Sequence, residues 1–302
     1  MSAGQWVEIV TSGLTTALFV DGANSTLDYM DKGCYDPIHR KVTFIGHAHY
    51  GDQRWHEFDE AGGRWSNLPD PPWDTGGNAS PPFIGHGYQH NTVDPLTGDL
   101  FYRQFDSNTI RWLRRSTGSW TTTAAAPNTS VAGGLEWLPT IGSQGGLVLF
   151  LAPGVHLWDK ATGVWRTAAN ALGPSTYSSI ALRSVPHGVV LIGGGDGSSA
   201  LWKIDGTGQV TACAKCPIEF GIGQTITTAE PVTGELLVIR SSSVAYRYAV
   251  DSNTWSPLSL IGAPWFGVVD PGSNVVAIPI AAYGVVMFLF GKVPAVWLYK
   301  HA

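Results

Sequence analysis

The sequence predicts an all-β fold, a six-bladed β-propeller of four-stranded antiparallel blades closed by the N-terminal strand joining the C-terminal blade. Three observations lead there. One short pattern recurs along the 302 residues: an apolar run, a turn, an aromatic-bearing segment, a Gly- or Asp-rich turn and then a Trp or its substitute, ending at Trp65, Trp120, Trp165, Val210 and Trp255. The intervals of 55, 45, 45 and 45 residues mark a repeat architecture, and the density of turns suits a small antiparallel sheet rather than a helix pair. Composition agrees, because 14% charged residues, 37 Gly and 13 Trp fit short strands joined by tight turns. The third observation is a copy of the pattern's end displaced to Trp6.

Each unit reads as four strands, A to D. The first takes Leu27 to Cys34, the turn Tyr35 to Arg40, the run Val42 to Gly46, a third strand with Trp55 and Phe58, and a fourth near Trp65. The second has the turn Val93 to Gly98, then Leu100-Phe101-Tyr102, Trp112 and the turn Ser116 to Ser119 before Trp120. The third has Gly142 to Gly146, Leu147 to Leu151, Trp158 and Ala161-Thr162-Gly163 before Trp165. Unit four gives Val189 to Gly195, Leu201-Trp202 and Asp205 to Gly208, and unit five Ala229 to Gly234, Leu236 to Ile239, Tyr246, Tyr248 and Asp251 to Trp255. Unit six gives Val275 to Ile280, Val285 to Phe290 and Ala295 to Lys300, and lacks a fourth strand. Trp6 to Val10 supplies it, since a ring of sheets leaves two open edges unless its ends pair. One domain over 1–302 follows, with blades at about 27–69, 87–123, 134–168, 177–212, 223–258 and 274–302 plus 4–10. With strands reaching so close to Met1 and Ala302, no tether or second domain is expected.

These residues resemble the kelch repeat: a second strand ending in the glycine run Gly193-Gly194-Gly195, an aromatic in strand C, and a Trp after an Asp/Thr/Gly turn. The resemblance spans the whole chain and implies the propeller fold. Only unit four carries the glycines in full, while unit one has Gly46 alone. Most Trp rings are then expected as packing between blades, each contributing about 1.5–3 kcal/mol by burial.

A formal net charge of −5 leaves no electrostatic footprint for nucleic acid or an anionic membrane. The one dense basic spot, Arg111, Arg114 and Arg115 around Trp112, reads as a solvated face. No signal peptide opens the chain, so synthesis in the cytoplasm is expected, and the apolar stretch Asn274 to Gly291 reads as two buried strands rather than a membrane span. Three cysteines are too few for a disulfide framework, and Cys213-Ala214-Lys215-Cys216 reads as loop thiols or a local disulfide without a catalytic role.

In a propeller the B–C and D–A loops share one face and the A–B and C–D turns share the other. Here the second face consists of tight turns, and the first takes the length variation. Its two longest insertions are Thr11 to Leu27 and Ser66 to Gly85. Loops on a rigid scaffold carry binding residues, which places the site around blades 1 and 2. There His47, His49 and Tyr50 lie in the first B–C loop, and His86 and His90 in the segment entering blade 2, with Asp70, Trp73 and Asp74 at the edge. These eight are the candidate ligand-binding residues. The aromatic and carboxylate groups suit a sugar or another protein subunit. His47, His49, His86 and His90 are the metal alternative, zinc or copper, because His-x-His in extended chain turns both imidazoles to one side; no cofactor is otherwise expected. No phosphate loop, nucleophile elbow or His-Glu-x-x-His occurs.

The functional expectation is a non-enzymatic binding or assembly module, specifically a viral or phage structural component of a tail or capsid, with protein subunits or surface glycans as partners. The alternative is a metal-dependent oxidase or carbohydrate-active enzyme on the same scaffold.

Overall fold

The computed structural model describes residues 1–21, 24–48, 53–73, 85–128, 133–173, 179–264 and 274–302. Six four-stranded antiparallel sheets form the blades of a β-propeller. The first strand, β1 (Gln5–Ile9), is followed by a single helical turn, α1 (Thr16–Phe19), and a two-stranded hairpin, β2 (Val20–Asp21) with β3 (Asn24–Ser25). Blade 1 comprises β4 (Cys34–Asp36), β5 (Lys41–His47), β6 (Gln53–Asp59) and β7 (Arg64–Asn67), and blade 2 comprises β8 (Asn91–Val93), β9 (Leu100–Arg103), β10 (Ile110–Arg114) and β11 (Ser119–Thr122). Blade 3 holds β12 (Gly134–Leu138), β13 (Gly146–Leu151), β14 (Gly154–Asp159) and β15 (Val164–Ala169), and blade 4 holds β16 (Ser179–Ser184), β17 (Val189–Gly194), β18 (Leu201–Ile204) and β19 (Val210–Ala212). Blade 5 is β20 (Ile226–Ala229), β21 (Leu236–Ser241), β22 (Val244–Ala249) and β23 (Thr254–Pro257). Blade 6 takes β24 (Val275–Ile280), β25 (Val285–Phe290) and β26 (Ala295–Lys300), and β1 completes it.

Each blade is sandwiched between two neighbours, so its inner strands bury both faces and read as continuous apolar runs rather than alternating ones. Every residue of β13 is buried, whereas the outermost strand of the same blade, β15, is largely exposed. Blade 6 shows the two-sided burial. Ala277, Val286, Phe288, Tyr299 and Trp6 pack toward Ile226, Leu237 and Ile239 of blade 5, while Ile278, Met287, Leu289 and Val296 pack toward Phe44, Phe58 and Trp65 of blade 1.

Ring closure is as expected. The strand β1 pairs antiparallel with β26, Gln5 opposite Lys300 and Trp6 opposite Tyr299. Trp6 is buried, stacked on Tyr299 at 4.4 Å between ring centroids and tilted against Phe288 at 5.1 Å.

The tight turns have a common chemistry. A carboxylate at the turn start accepts backbone N–H groups two and three residues on: Asp36 from Ile38 and His39, Asp159 from Ala161, Asp205 from Thr207 and Gly208. The glycine run of blade 4 is required by backbone shape, with Gly193, Gly194 and Gly195 at φ of 150, 63 and 110°.

Two expectations change. The insertion Thr11 to Leu27 is not an open ligand loop: Leu18, Phe19 and Leu27, with Met30, are buried between blades 6 and 1. Arg54 Nη1 anchors it by donating to the carbonyls of Ala17, Leu18 and Val20. The basic spot is not uniformly solvated either. Arg114 is exposed over Trp112, but Arg115 lies against Glu57 at 3.2 Å and Asp36 at 3.7 Å with its side chain only 14% exposed. Three opposite or aromatic partners, all from blade 1 and Trp55 included, converge on Arg115 and cover it.

Candidate functional site

The propeller axis is filled. Residues 31–32 and 89 precede the inner strands of blades 1 and 2 and reach across the ring. The Lys32 ammonium donates to the carbonyls of Leu135 (2.6 Å) and Ala181 (3.3 Å) and lies 2.9 Å from Glu136 Oε2. Glu136 also accepts from Thr92 Oγ1 at 2.7 Å and from the Trp137 N–H at 2.8 Å. Asp31 accepts from Gln89 Nε2 at 2.9 Å and Thr227 Oγ1 at 2.7 Å, and Gln89 Oε1 accepts from the Ala181 N–H at 2.8 Å. Backbone bonds between Asp31, Gly33 and Ala277 bring in blade 6. Burial pushes Asp31 up to about 6, against the hydrogen bonds from Thr227 and Gln89. Burial also opposes ionisation of Glu136, but the charges of Lys32 and Arg183 outweigh it and hold the carboxyl below its usual range. At the tight-turn end the axis leaves a cavity of about 80 Å³ beside Cys34, Glu136 and Arg183, room for a few water molecules and no more.

At the long-loop end the axis is capped by the predicted histidines. His47, at the end of β5, is buried and has its Nδ1 3.3 Å from Gln53 Nε2, and its ring occupies the space where a side chain on residue 85 would stand, which Gly85 leaves open. His86 meets Tyr29 edge-on at 4.1 Å and tilts against Tyr88 and Phe105. His90 is fully buried, and its Nε2 accepts from Arg103 Nη1 at 2.9 Å. Burial and the Arg103 charge drive His90 well below its ordinary value, so its ring is neutral. Tyr29 and Tyr88 both hold left-handed backbone, φ of 52 and 37°, with the Tyr88 N–H donating to the Tyr29 carbonyl at 2.8 Å.

The structure therefore gathers His47, His86 and His90 in one packed cluster. Among the described residues, no group of three His, Cys, Asp or Glu side chains is placed to share a metal ion, and His90 commits Nε2 to Arg103. His49, Tyr50 and Asp74 lie outside the described residues. Asp70 is exposed.

Trp73 sits apart, at the rim where blade 1 leads into blade 2. Its Nε1 donates to Gln53 Oε1 at 2.9 Å, which ties the rim to the His47 loop. One ring face stacks toward Tyr102 at 6.1 Å, Trp120 abuts it edge-on at 4.8 Å, and the Arg111 guanidinium lies 4.7 Å from the ring centroid. Pro72, Trp73, Arg111, Trp120, Thr121 and Thr122 line an open groove of about 360 Å³. Arg111 has no carboxylate partner among the described residues. Among those residues its side chain bonds to Gln104 Oε1 at 2.8 Å and its Nε finds no acceptor, and burial lowers its pKa. A cationic, planar, half-buried donor beside two indoles and two exposed threonine hydroxyls can hold an oxyanion while the rings pack a flat apolar face.

Sequence reasoning missed the axial residues Lys32, Asp31, Gln89 and Glu136, the buried Arg103, and Arg111 as a groove residue. A signal existed for Glu136, a lone charge inside Leu135-Glu136-Trp137. The three cysteines are free thiols, Cys213 and Cys216 among them.

No family model matches the chain, and no curated protein matches it by sequence. Among solved structures it is similar to a protein of unknown function from Bacteroides thetaiotaomicron, with a TM-score of 0.63, 10% identity, and coverage of 98% of this chain and 76% of that one. A structure of a nidogen/laminin complex matches with a TM-score of 0.53, 8% identity, and coverage of 75% and 78%. These likenesses extend to the fold alone. Among the described residues no helix is long and apolar enough to cross a membrane.

Proposed function

We propose that this kelch-like propeller is a non-catalytic binding module whose ligand is a glycan bearing an acidic group, held in the rim groove of Trp73, Arg111, Trp120, Thr121 and Thr122. The observation that carries the reading is Arg111: a guanidinium 4.7 Å from the centroid of an indole ring, with no carboxylate neighbour among the described residues. Uronate or sialate carboxylates and sulfate esters match its planar donors. The apolar indole surface suits the C–H face of a sugar ring, and the threonine hydroxyls suit its hydroxyls.

The packed His47, His86 and His90 cluster supports the groove instead of reacting. Its rings are buried against aromatics, and Gln53 joins it to Trp73. Placement in a phage tail or capsid draws no support from the fold, the groove or the similar structures.

Glycan-array binding of the intact chain checks the proposal. Acidic glycans should be retained in preference to neutral ones, and Arg111→Ala should weaken that binding about 10- to 100-fold, the worth of a charge-assisted hydrogen bond. An array with no acidic-glycan binding, or one unchanged by Arg111→Ala, would overturn it.

A further inference from the structure

On the opposite face from the rim groove, blades 6 and 1 do not close fully. Toward the long-loop face their interface is packed by Leu18, Phe19 and Leu27. Toward the tight-turn face it leaves a cavity of about 350 Å³ walled by Ile9, Val42, Phe58, Val285, Met287 and Leu298. At its mouth stand Tyr35, Glu60 and Tyr283, and Lys300 lines its wall.

The charges at the mouth are unbalanced in one direction. Glu60 accepts from Tyr35 Oη at 2.7 Å and Arg40 Nη2 at 2.5 Å, and from Tyr283 Oη by a shorter bond. Its negative charge is thereby satisfied: burial opposes ionisation, but the donors outweigh it and hold the carboxyl down at about 2. Arg40 reaches this position at φ of 55°, left-handed backbone at a turn site where blades 2 and 5 carry Gly98 and Gly234. Lys300, half-buried at the end of β26, has no side-chain partner among the described residues. The alternation of β26 places Leu298 and Lys300 on the same side of the strand, so an apolar wall and a free cation adjoin.

We infer that this inter-blade cavity is a second binding site, for a small amphiphilic carboxylate whose apolar body fills the space between blades 6 and 1 and whose head pairs with Lys300. Its volume lies at the lower end of ligand pockets, which suits a single alkyl chain or one ring system. An apolar wall alone would take any hydrocarbon; the unpaired ammonium selects for an anionic head. This site does not depend on the glycan reading and shares no residue with it.

Linear carboxylates below their micellar concentrations test the inference, followed by calorimetry and by the methyl resonances of Met287 and Met30 in the intact chain. Met287 lines the cavity and Met30 does not. Affinity should rise about fourfold per methylene from hexanoate to octanoate. Decanoate should shift the Met287 methyl and leave that of Met30 in place. Decanol should bind at least tenfold more weakly than decanoate, and Lys300→Gln should remove that difference without changing the melting temperature. Leu298→Trp, which fills the cavity, should abolish decanoate binding. No saturable binding, equal binding of decanoate and decanol, or a Lys300→Gln chain that keeps the preference would each overturn the proposal.

Discussion

Lys32 is a buried ammonium, its side chain 5% exposed, and it owes its tolerance to three oxygens contributed by two other blades. Removing it strands the Glu136 carboxylate in the axis, so Lys32→Met should cost about 3–5 kcal/mol, measured as a loss in urea unfolding free energy. Lys32→Met with Glu136→Leu should recover most of that, because the uncompensated charge is then gone. The loss would be absent if the pair were solvated. Both charges were visible in the sequence, but residues 104 apart carry no local sign of pairing. His56 shows the same limit: it is fully buried, 2.8 Å from both Thr26 Oγ1 and Asn67 Oδ1, on a strand whose pattern reads only as apolar and aromatic.

Among the elements, β1 has the clearest sequence signature, a Trp in the closing position and a sixth unit short of one strand. Its energetics rest on Trp6, which fills the space beside Tyr299 and Phe288. Trp6→Ala should lower unfolding free energy by about 3–5 kcal/mol, the range for a large ring lost from a core, seen as a fall in melting temperature. A loss under 1 kcal/mol would mean that β1 is dispensable for closure. The insertion before blade 1 was less legible. Its length suggested a ligand loop, yet Leu18 and Phe19 anchor it as a wedge, because the gap between blades 6 and 1 is wider than their own side chains fill. The rim groove was half legible: Trp73 stood out as an aromatic in a long loop, whereas Arg111 was hidden in a cluster of three arginines whose environments diverge only after folding.

For the molecule as a whole, the buried histidines set the acid limb of stability. His56 is lowered from 6.5 to about 3 by burial, so its neutral form favours the folded state, a contribution complete above pH 6.5 and lost as pH falls toward 3. His90 acts in the same direction. Asp31 runs the other way: raised from 3.8 to about 6, it favours the fold fully below pH 3.8 and loses that contribution as pH rises through 6. The histidine terms together should prevail, so melting temperature should drop between pH 6.5 and 4. His56→Leu should shrink that drop while costing about 1–3 kcal/mol at pH 7 through the unpaired Asn67 oxygen. Calorimetry at pH 7 and pH 4 reads both effects, and an equal drop in the variant would reject the role of His56.

What the sequence by itself determined is the periodic part: strand number, the antiparallel order within each blade, turn chemistry and closure by the N-terminus. These follow from interactions between residues near in the chain, or from the count of strands that a ring must balance, and both leave a repeating trace. Only the tertiary structure decided the axial Lys32–Glu136 network, the neutral burial of His90 against Arg103, the Arg111 guanidinium over Trp73 and the open seam between blades 6 and 1. Each depends on which side chains from different blades meet across the ring, at distances set by packing, and convergence of that kind leaves no period to read.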